Sequence, residues 1–292
     1  MKQFEFLTLK LFVAVAETGS VSAAAERSSI AAAAISKRIT DMEHAAGGQF
    51  FYRHARGMAL TPAGRELLQH AREIIFSVDR MHNDLSGYAN GIKGHVRVAA
   101  TGSAVSEFLP HELKRFGELH PNIVIDLTEW TSQRIVDAVM EGRAEMGIFI
   151  DPHTRPDLVT FPYREDELCI VVPTGHPLAG RPSARFADIT AFDFIGLEPQ
   201  SSIGQMVATE GGAQLRLRIN VRSTDGLCRM VAAGLGIGIA PRLVVETHVK
   251  SMSIEIVPLA EPWAQRSLLI GVRSEEGLST PARIFLQHCR AG

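Results

Sequence analysis

A chain of 292 residues with 46% hydrophobic content is long enough to fold as two or more domains, and its net charge of −2 excludes a uniformly basic nucleic-acid coat. Cys169, Cys228 and Cys289 are widely spaced and show no CxxC pairing. This excludes a disulfide framework or a zinc knuckle and points to buried thiols in a reducing compartment. The eleven histidines form no HExxH or comparable spacing, so no metal or other cofactor is expected.

The N-terminal apolar run is interrupted by Lys10 and Glu17, while Leu7, Leu11 and Val15 recur at helical spacing. An amphipathic first helix therefore fits better than a signal peptide. No stretch approaches the ~20 uninterrupted apolar residues of a membrane span, and a cytoplasmic protein with no membrane partner is expected.

Ser20 to Glu43 reads as two short helices with a polar break at Ser28 to Ala31. Ser20 or Ser22 can cap the first. In the second, Ile35, Ile39 and Met42 mark a buried face, and Ala32, Ala33, Ser36, Lys37 and Thr40 turn outward. As a helix-turn-helix, this outward face meets the major groove, with Arg38 nearby for phosphate. Gly47-Gly48 stops the second helix. Gln49 to Arg53, a turn at Ala55-Arg56-Gly57 and Met58 to Leu60 then form a small wing, with Arg53 and Arg56 at its tip as contacts to phosphate or the minor groove.

Thr61-Pro62 is a strong helix start: a capping hydroxyl, then a proline whose missing N–H costs nothing in the first turn. Leu67, Ala71, Ile74, Val78, Met81 and Leu85 alternate spacings of three and four, an a/d seam that asks for a second helix. The simplest partner is the same helix of another subunit, which places two hairpins side by side on a two-fold operator. Packing against the chain's own domain is the other reading.

Residues 4 to 75 resemble the winged helix-turn-helix and linker helix of LysR-type transcriptional regulators. The resemblance rests on Leu11-Phe12, Gly19-Ser20, Ala24-Ala25, Ile35-Ser36, Met42-Glu43, Phe51, Arg53 and LTPAG at Leu60 to Gly64. Where that family commonly opens its recognition helix with Ser-Gln-Pro, this chain has Ala31-Ala32-Ala33. Glutamine can bond adenine at two points, whereas alanine offers a methyl for thymine. Direct base reading should be poor, and operator choice should lean on the wing, on DNA deformability and on half-site spacing.

Beyond a hinge at Gly87 to Gly94, strands and helices alternate. Strands are expected at Val96 to Ala100, Ile123 to Thr128, Met146 to Ile150, Leu168 to Val172, Phe194 to Leu197, Ile219 to Val221, Gly236 to Ala240 and Ser267 to Val272. The pattern predicts parallel α/β sheets in two modules, with the chain returning to the first at its end. Glu145 to Ile148, Leu168 to Ala179 and Val231 to Pro241 resemble the same family's co-inducer domain, which is similar to periplasmic substrate-binding proteins.

The resemblance implies an α/β fold class with four parts. These are a winged helix-turn-helix (1–61), a linker and dimerisation helix (62–88), a hinge (89–93) and an effector-binding domain (94–292). The last divides into subdomain I (94–163 and 267–292) and subdomain II (164–266). Double-stranded promoter DNA, a small effector, self-association as dimer or tetramer, and RNA polymerase are the partners it implies.

Ligands of open α/β sheets bind at the carboxyl ends of strands, where helix N-termini converge. Thr101, Gly102, Ser103, Thr131, Ser132, Ser201, Ser202, Ser223 and Thr224 occupy such places, each hydroxyl with a plain alternative as a helix cap. Hydroxyls and helix ends favour a small anion, such as a carboxylate. Phe149 and Phe161 are the candidates to cover an apolar part, and no arginine is clearly placed in the site. A solute receptor without DNA function is the alternative reading, but it leaves the heptad seam without a purpose. An enzyme is not expected: no GxSxG, P-loop or dinucleotide fingerprint is present.

Overall fold

The computed structural model describes residues 4–54, 57–90, 94–150, 155–211 and 215–291. The chain divides into two compact units, residues 1–85 with 141–143, and residues 86–140 with 144–292.

In the first unit, α1 (Phe6–Thr18), α2 (Val21–Ser28) and α3 (Ala32–Ala46) close over a core containing Phe12, Val15, Ala24, Ile35, Ile39 and Met42. Of the expected stripe of α1, Leu11 and Val15 are buried together with Leu9, whereas Leu7 is exposed. Ser20 is the cap of α2, accepting the Ala23 N–H, and Gly47 ends α3 in the left-handed conformation. The wing is β1 (Phe51–His54) paired antiparallel with β2 (Gly57–Leu60), and Arg56 at its turn lies outside the described residues.

Two residues fix the wing to the helices. The buried Glu43 carboxylate accepts the N–H groups of Phe50 and Phe51 at 2.8 and 3.2 Å, donors that the short strand leaves without a partner. Gly57 has φ +135, and a Cβ there would sit 2.6 Å from the Gly19 carbonyl. Only glycine lets the wing approach the end of α1 so closely.

Thr61 caps α4 (Pro62–Asn90) through the Gly64 N–H at 3.0 Å. At 29 residues α4 is about 43 Å long and absorbs residues 87–90 of the expected hinge; residues 91–93 lie outside those described. Its seam is divided. Leu67 and Ala71 pack into the helix-turn-helix core, while Ile74, Met81 and Leu85 stand 45%, 54% and 61% exposed.

The second unit starts with β3 (Gly94–Ala100), α5 (Gly102–Glu107), α6 (Leu109–Leu119), β4 (Ile123–Glu129), α7 (Ser132–Met140) and β5 (Met146–Ile150). β3 pairs parallel with β4 and β5 as the alternating pattern predicts. β6 (Val159–Pro173) is much longer than the expected Leu168 to Val172.

Then follow α8 (Phe186–Ile189), β7 (Asp193–Leu197), α9 (Ser202–Gly211), β8 (Arg216–Val221), α10 (Thr224–Ala232), β9 (Ile237–Pro241), α11 (Arg242–Val249), β10 (Ile254–Pro258), β11 (Gln265–Val272) and α12 (Thr280–Ala291).

The sheet is mixed rather than parallel: β11 runs antiparallel to β5 and β6, and β6 antiparallel to β9 and β10. β6 belongs to both halves. Its residues to Glu167 pair with β11, and from Leu168 onward with β9, so the crossover falls beyond the 163/164 division read from the sequence. Each half buries apolar clusters beneath its helices, one around Val98, Phe116 and Phe285 and another around Ile170, Ile189 and Ile239. No described helix is long and apolar enough to cross a membrane.

Candidate functional site

The outward surface of α3 presents Ala33 and Lys37 exposed and Ala32 and Ser36 half-buried, with Ser22 exposed on α2. No side chain caps the start of α3 at Ala31, so its first N–H groups are open to a phosphate oxygen. Of the arginines expected to meet DNA, the two described are engaged. Arg38 Nη1 donates to Glu5 Oε2 at 3.0 Å and to Thr8 Oγ1 at 3.3 Å. Arg53 Nη2 donates to Thr40 Oγ1 at 3.0 Å and lies 3.6 Å from the Glu43 carboxylate.

In the second unit a cleft of about 580 Å³ lies between the two halves of the sheet, at the carboxyl ends of β3, β4, β7 and β8. One wall holds Thr101, Gly102, Ser103, Ser106, Glu129, Trp130, Thr131 and Arg134. The facing wall holds Glu198, Ser201, Ser202, Arg222, Ser223, Thr224 and His248. Most of the residues expected at a ligand site thus meet at one surface: Thr101, Gly102, Ser103, Thr131, Ser201, Ser202, Ser223 and Thr224.

Ser132 and the two phenylalanines do not join them. Ser132 is buried behind the wall, where its hydroxyl accepts the Ile150 N–H at 3.2 Å. Phe149 is fully buried in the cluster with Ile135 and Val139, because β5 is covered on both faces and neither side of it reaches the cleft. Phe161 packs against the first half's core, away from the cleft lining. Two arginines, by contrast, do line the cleft. Arg134 lies 6.0 Å over the Trp130 ring, and Arg222 pairs with Glu198 at 2.7 Å.

The hydroxyls differ in what they have left to offer. Ser201 and Ser223 cap α9 and α10, accepting the N–H groups of Gly204 and Gly226. Thr101 is 4% exposed, and its hydroxyl meets no partner among the described residues. A buried hydroxyl without a partner costs free energy that a ligand's acceptor can recover.

Behind Ser103 stands a charged cluster that sequence reading does not find. Arg266 Nη2 on β11 donates to Ser103 Oγ at 3.3 Å and to Asp166, its cross-strand neighbour on β6. Because Ser103 Oγ accepts from the guanidinium, its own proton is free to point into the cleft. Burial pushes Arg266 down to about 10, with Glu107 pulling the other way, so it stays charged at neutral pH. Burial also pushes Glu107, at the end of α5, up to about 7 against the pull of Arg266.

The three thiols are buried, and burial raises each of them, Cys228 to about 11 and Cys289 to about 12. They are protonated at neutral pH and unreactive. Among the described residues no cluster of His, Cys, Asp and Glu is suited to a metal ion.

A helix-turn-helix unit carried on the same chain as a ligand cleft between two α/β halves defines a DNA-binding regulator that takes an effector. The family model for the bacterial regulatory helix-turn-helix protein of the lysR family matches residues 6–65, and that for the LysR substrate binding domain matches residues 89–292. The chain belongs to the LysR family of transcriptional regulators and is not an enzyme.

It is 31% identical over 288 residues to the uncharacterized HTH-type transcriptional regulator YbhD of Escherichia coli, covering 96% of this chain and 89% of that one. The regulator GltR of Bacillus subtilis is 24% identical, over 97% of this chain and 95% of its own. Among solved structures, a single-substitution variant of full-length OxyR from Pseudomonas aeruginosa matches with TM-score 0.75 at 19% identity, covering 100% of this chain and 95% of that one. CbnR, solved in complex with its target DNA, matches at TM-score 0.69 and 23% identity, with 99% of each chain covered. At these identities the solved structures show the shared fold.

Proposed function

We propose that the chain is a cytoplasmic regulator that dimerises through α4, pairs further into a tetramer on promoter DNA, and responds to a small anion, a carboxylate, bound in the cleft. The observation that carries the effector reading is the convergence on one cleft of the Thr101 hydroxyl, the Ser103 hydroxyl backed by Arg266, the Arg134 guanidinium and the N-termini of α9 and α10. All of these are donors or positive ends, which suits an anion. The exposed half of the α4 seam supports dimerisation, since Ile74, Met81 and Leu85 are apolar side chains that stand open to solvent.

On DNA, Ser22, Ala32, Ala33, Ser36 and Lys37 face the major groove, with Arg38, Arg53 and Arg56 directed to phosphate or the minor groove. The alanines make the helix a weak reader of bases, so half-site spacing and DNA shape supply most of the selectivity. Effector binding shifts a pre-existing equilibrium between arrangements of the assembly, and with it the bend imposed on the promoter. RNA polymerase then reads that altered geometry. A solute receptor without DNA function would leave the helix-turn-helix match unexplained.

A thermal-shift screen of small carboxylates against uncharged and cationic analogues of similar size tests the cleft. At least one carboxylate should raise the melting temperature of the wild type, and Thr101→Val should weaken that ligand about tenfold, the cost of one buried hydrogen bond. Binding confined to neutral or cationic compounds would contradict the anionic reading.

A further inference from the structure

Three described arginines of the first unit lie beside acidic side chains while remaining partly exposed to solvent. Arg27 pairs with Glu17 at 2.9 Å, Arg53 is held by Thr40 and Glu43, and Arg38 by Glu5 and Thr8. Lys37, next to Arg38 on α3, is exposed and has no acidic partner among the described residues. Arg38 sits at the edge of the outward face of α3, in a groove of about 420 Å³ that it shares with Lys37 and with the carboxylates of Glu5 and Asp41. Glu5 is the residue preceding the first turn of α1, where the helix dipole favours a carboxylate; its side chain makes no capping hydrogen bond and is left to pair with Arg38.

We propose that Glu5 sets the DNA affinity of this chain by holding the Arg38 guanidinium, so that Arg38 reaches a phosphate only by exchanging the carboxylate for it. The inference rests on the reading of α3 as the helix that faces DNA. Carboxylate and phosphate present the same paired oxygens to a guanidinium, so one partner can replace the other without a new side-chain geometry. The Glu5–Arg38 pair is solvent-exposed on both sides, with side chains 57% and 39% exposed, so the exchange is easy but not free.

A paired arginine also releases fewer counterions on binding than a free one. Affinity and its salt dependence are therefore both held down by Glu5. Glu5 is a positioning residue: it acts through Arg38 and does not itself touch DNA.

The phosphate term does not depend on sequence, so a fluorescein-labelled duplex of random sequence is a sufficient probe. Fluorescence anisotropy with the full chain should show Glu5→Gln binding about three- to fivefold more tightly than wild type at low salt. The plot of log affinity against log salt should steepen by up to about one unit. Arg38→Gln should bind more weakly with a shallower slope, and Glu5→Gln/Arg38→Gln should match Arg38→Gln alone. Equal affinity and slope for Glu5→Gln and wild type would overturn the proposal. So would a gain that persists in the Arg38→Gln background, since Glu5 would then act by simple repulsion. Failure of the wild type to bind any duplex would overturn it as well, by removing the DNA-facing role of α3 itself, a result distinct from the other two.

Discussion

Arg266→Met is expected to cost the α/β unit about 3–5 kcal/mol in urea unfolding, whereas Asp166→Leu/Arg266→Met should recover most of that loss. Both side chains are fully buried, on directly opposed residues of β11 and β6. Removing the guanidinium alone leaves the Asp166 carboxylate without its cation in a place water does not reach, and Asp166 Oδ1 already lacks a partner among the described residues. Removing both charges abolishes that penalty, and apolar replacements of similar volume pack in its place. The comparison belongs at about pH 6, below the Glu107 value of about 7, so that the nearby Glu107 is mostly neutral in every variant. A loss below about 1 kcal/mol for Arg266→Met would show that the pair is hydrated and that its burial means little.

Glu107 should make the stability of the same unit fall as pH rises from about 4.5 to about 7. Both of its carboxylate oxygens are buried without a hydrogen-bond partner among the described residues, and burial raises the group above its ordinary 4.5. Below the lower value the carboxyl is neutral in the folded and unfolded chains alike, and its full contribution is present. Between the two values the unfolded chain gives up the proton first, so the folded state binds more protons and loses stability with rising pH. Above about 7 the loss is complete and constant. It should amount to about 2 kcal/mol, a figure reduced for the partial exposure of the side chain. Glu107→Gln should be more stable than wild type at about pH 8 and nearly equal to it at about pH 4, measured by melting temperature. A difference independent of pH would contradict the assignment.

Local signals in the sequence located most of the elements. Thr61-Pro62 opens α4 because capping chemistry is decided within one turn, and Ile35, Ile39 and Met42 are buried because helical spacing alone puts them on one face. The same reasoning placed Thr101, Ser103, Thr131, Ser201 and Thr224 at the cleft, since hydroxyls after strands lie where helix N-termini converge.

What escaped depends on partners far away in the chain. Alternation along β5 says nothing about which face meets the cleft once both faces are covered, and Phe149 went into the core for that reason. The Arg38–Glu5 pair spans 33 positions, and Arg266 meets Asp166 across 100 and Ser103 across 163. No local spacing reports such pairings. Arg222, two residues before Thr224, lay on a loop already marked as part of the site and was within reach of local reading.

If α4 couples two base-indifferent hairpins, their spacing rather than their contacts selects the operator. A DNase I footprint on the intergenic DNA beside the chain's own gene, with wild type and Leu85→Glu compared at equal concentration, tests this most directly. Two separated protected half-sites are expected for the wild type, with loss of both together for the variant, whose carboxylate falls on the exposed α4 seam. Protection of a single site by the wild type, or an unchanged footprint with Leu85→Glu, would contradict it.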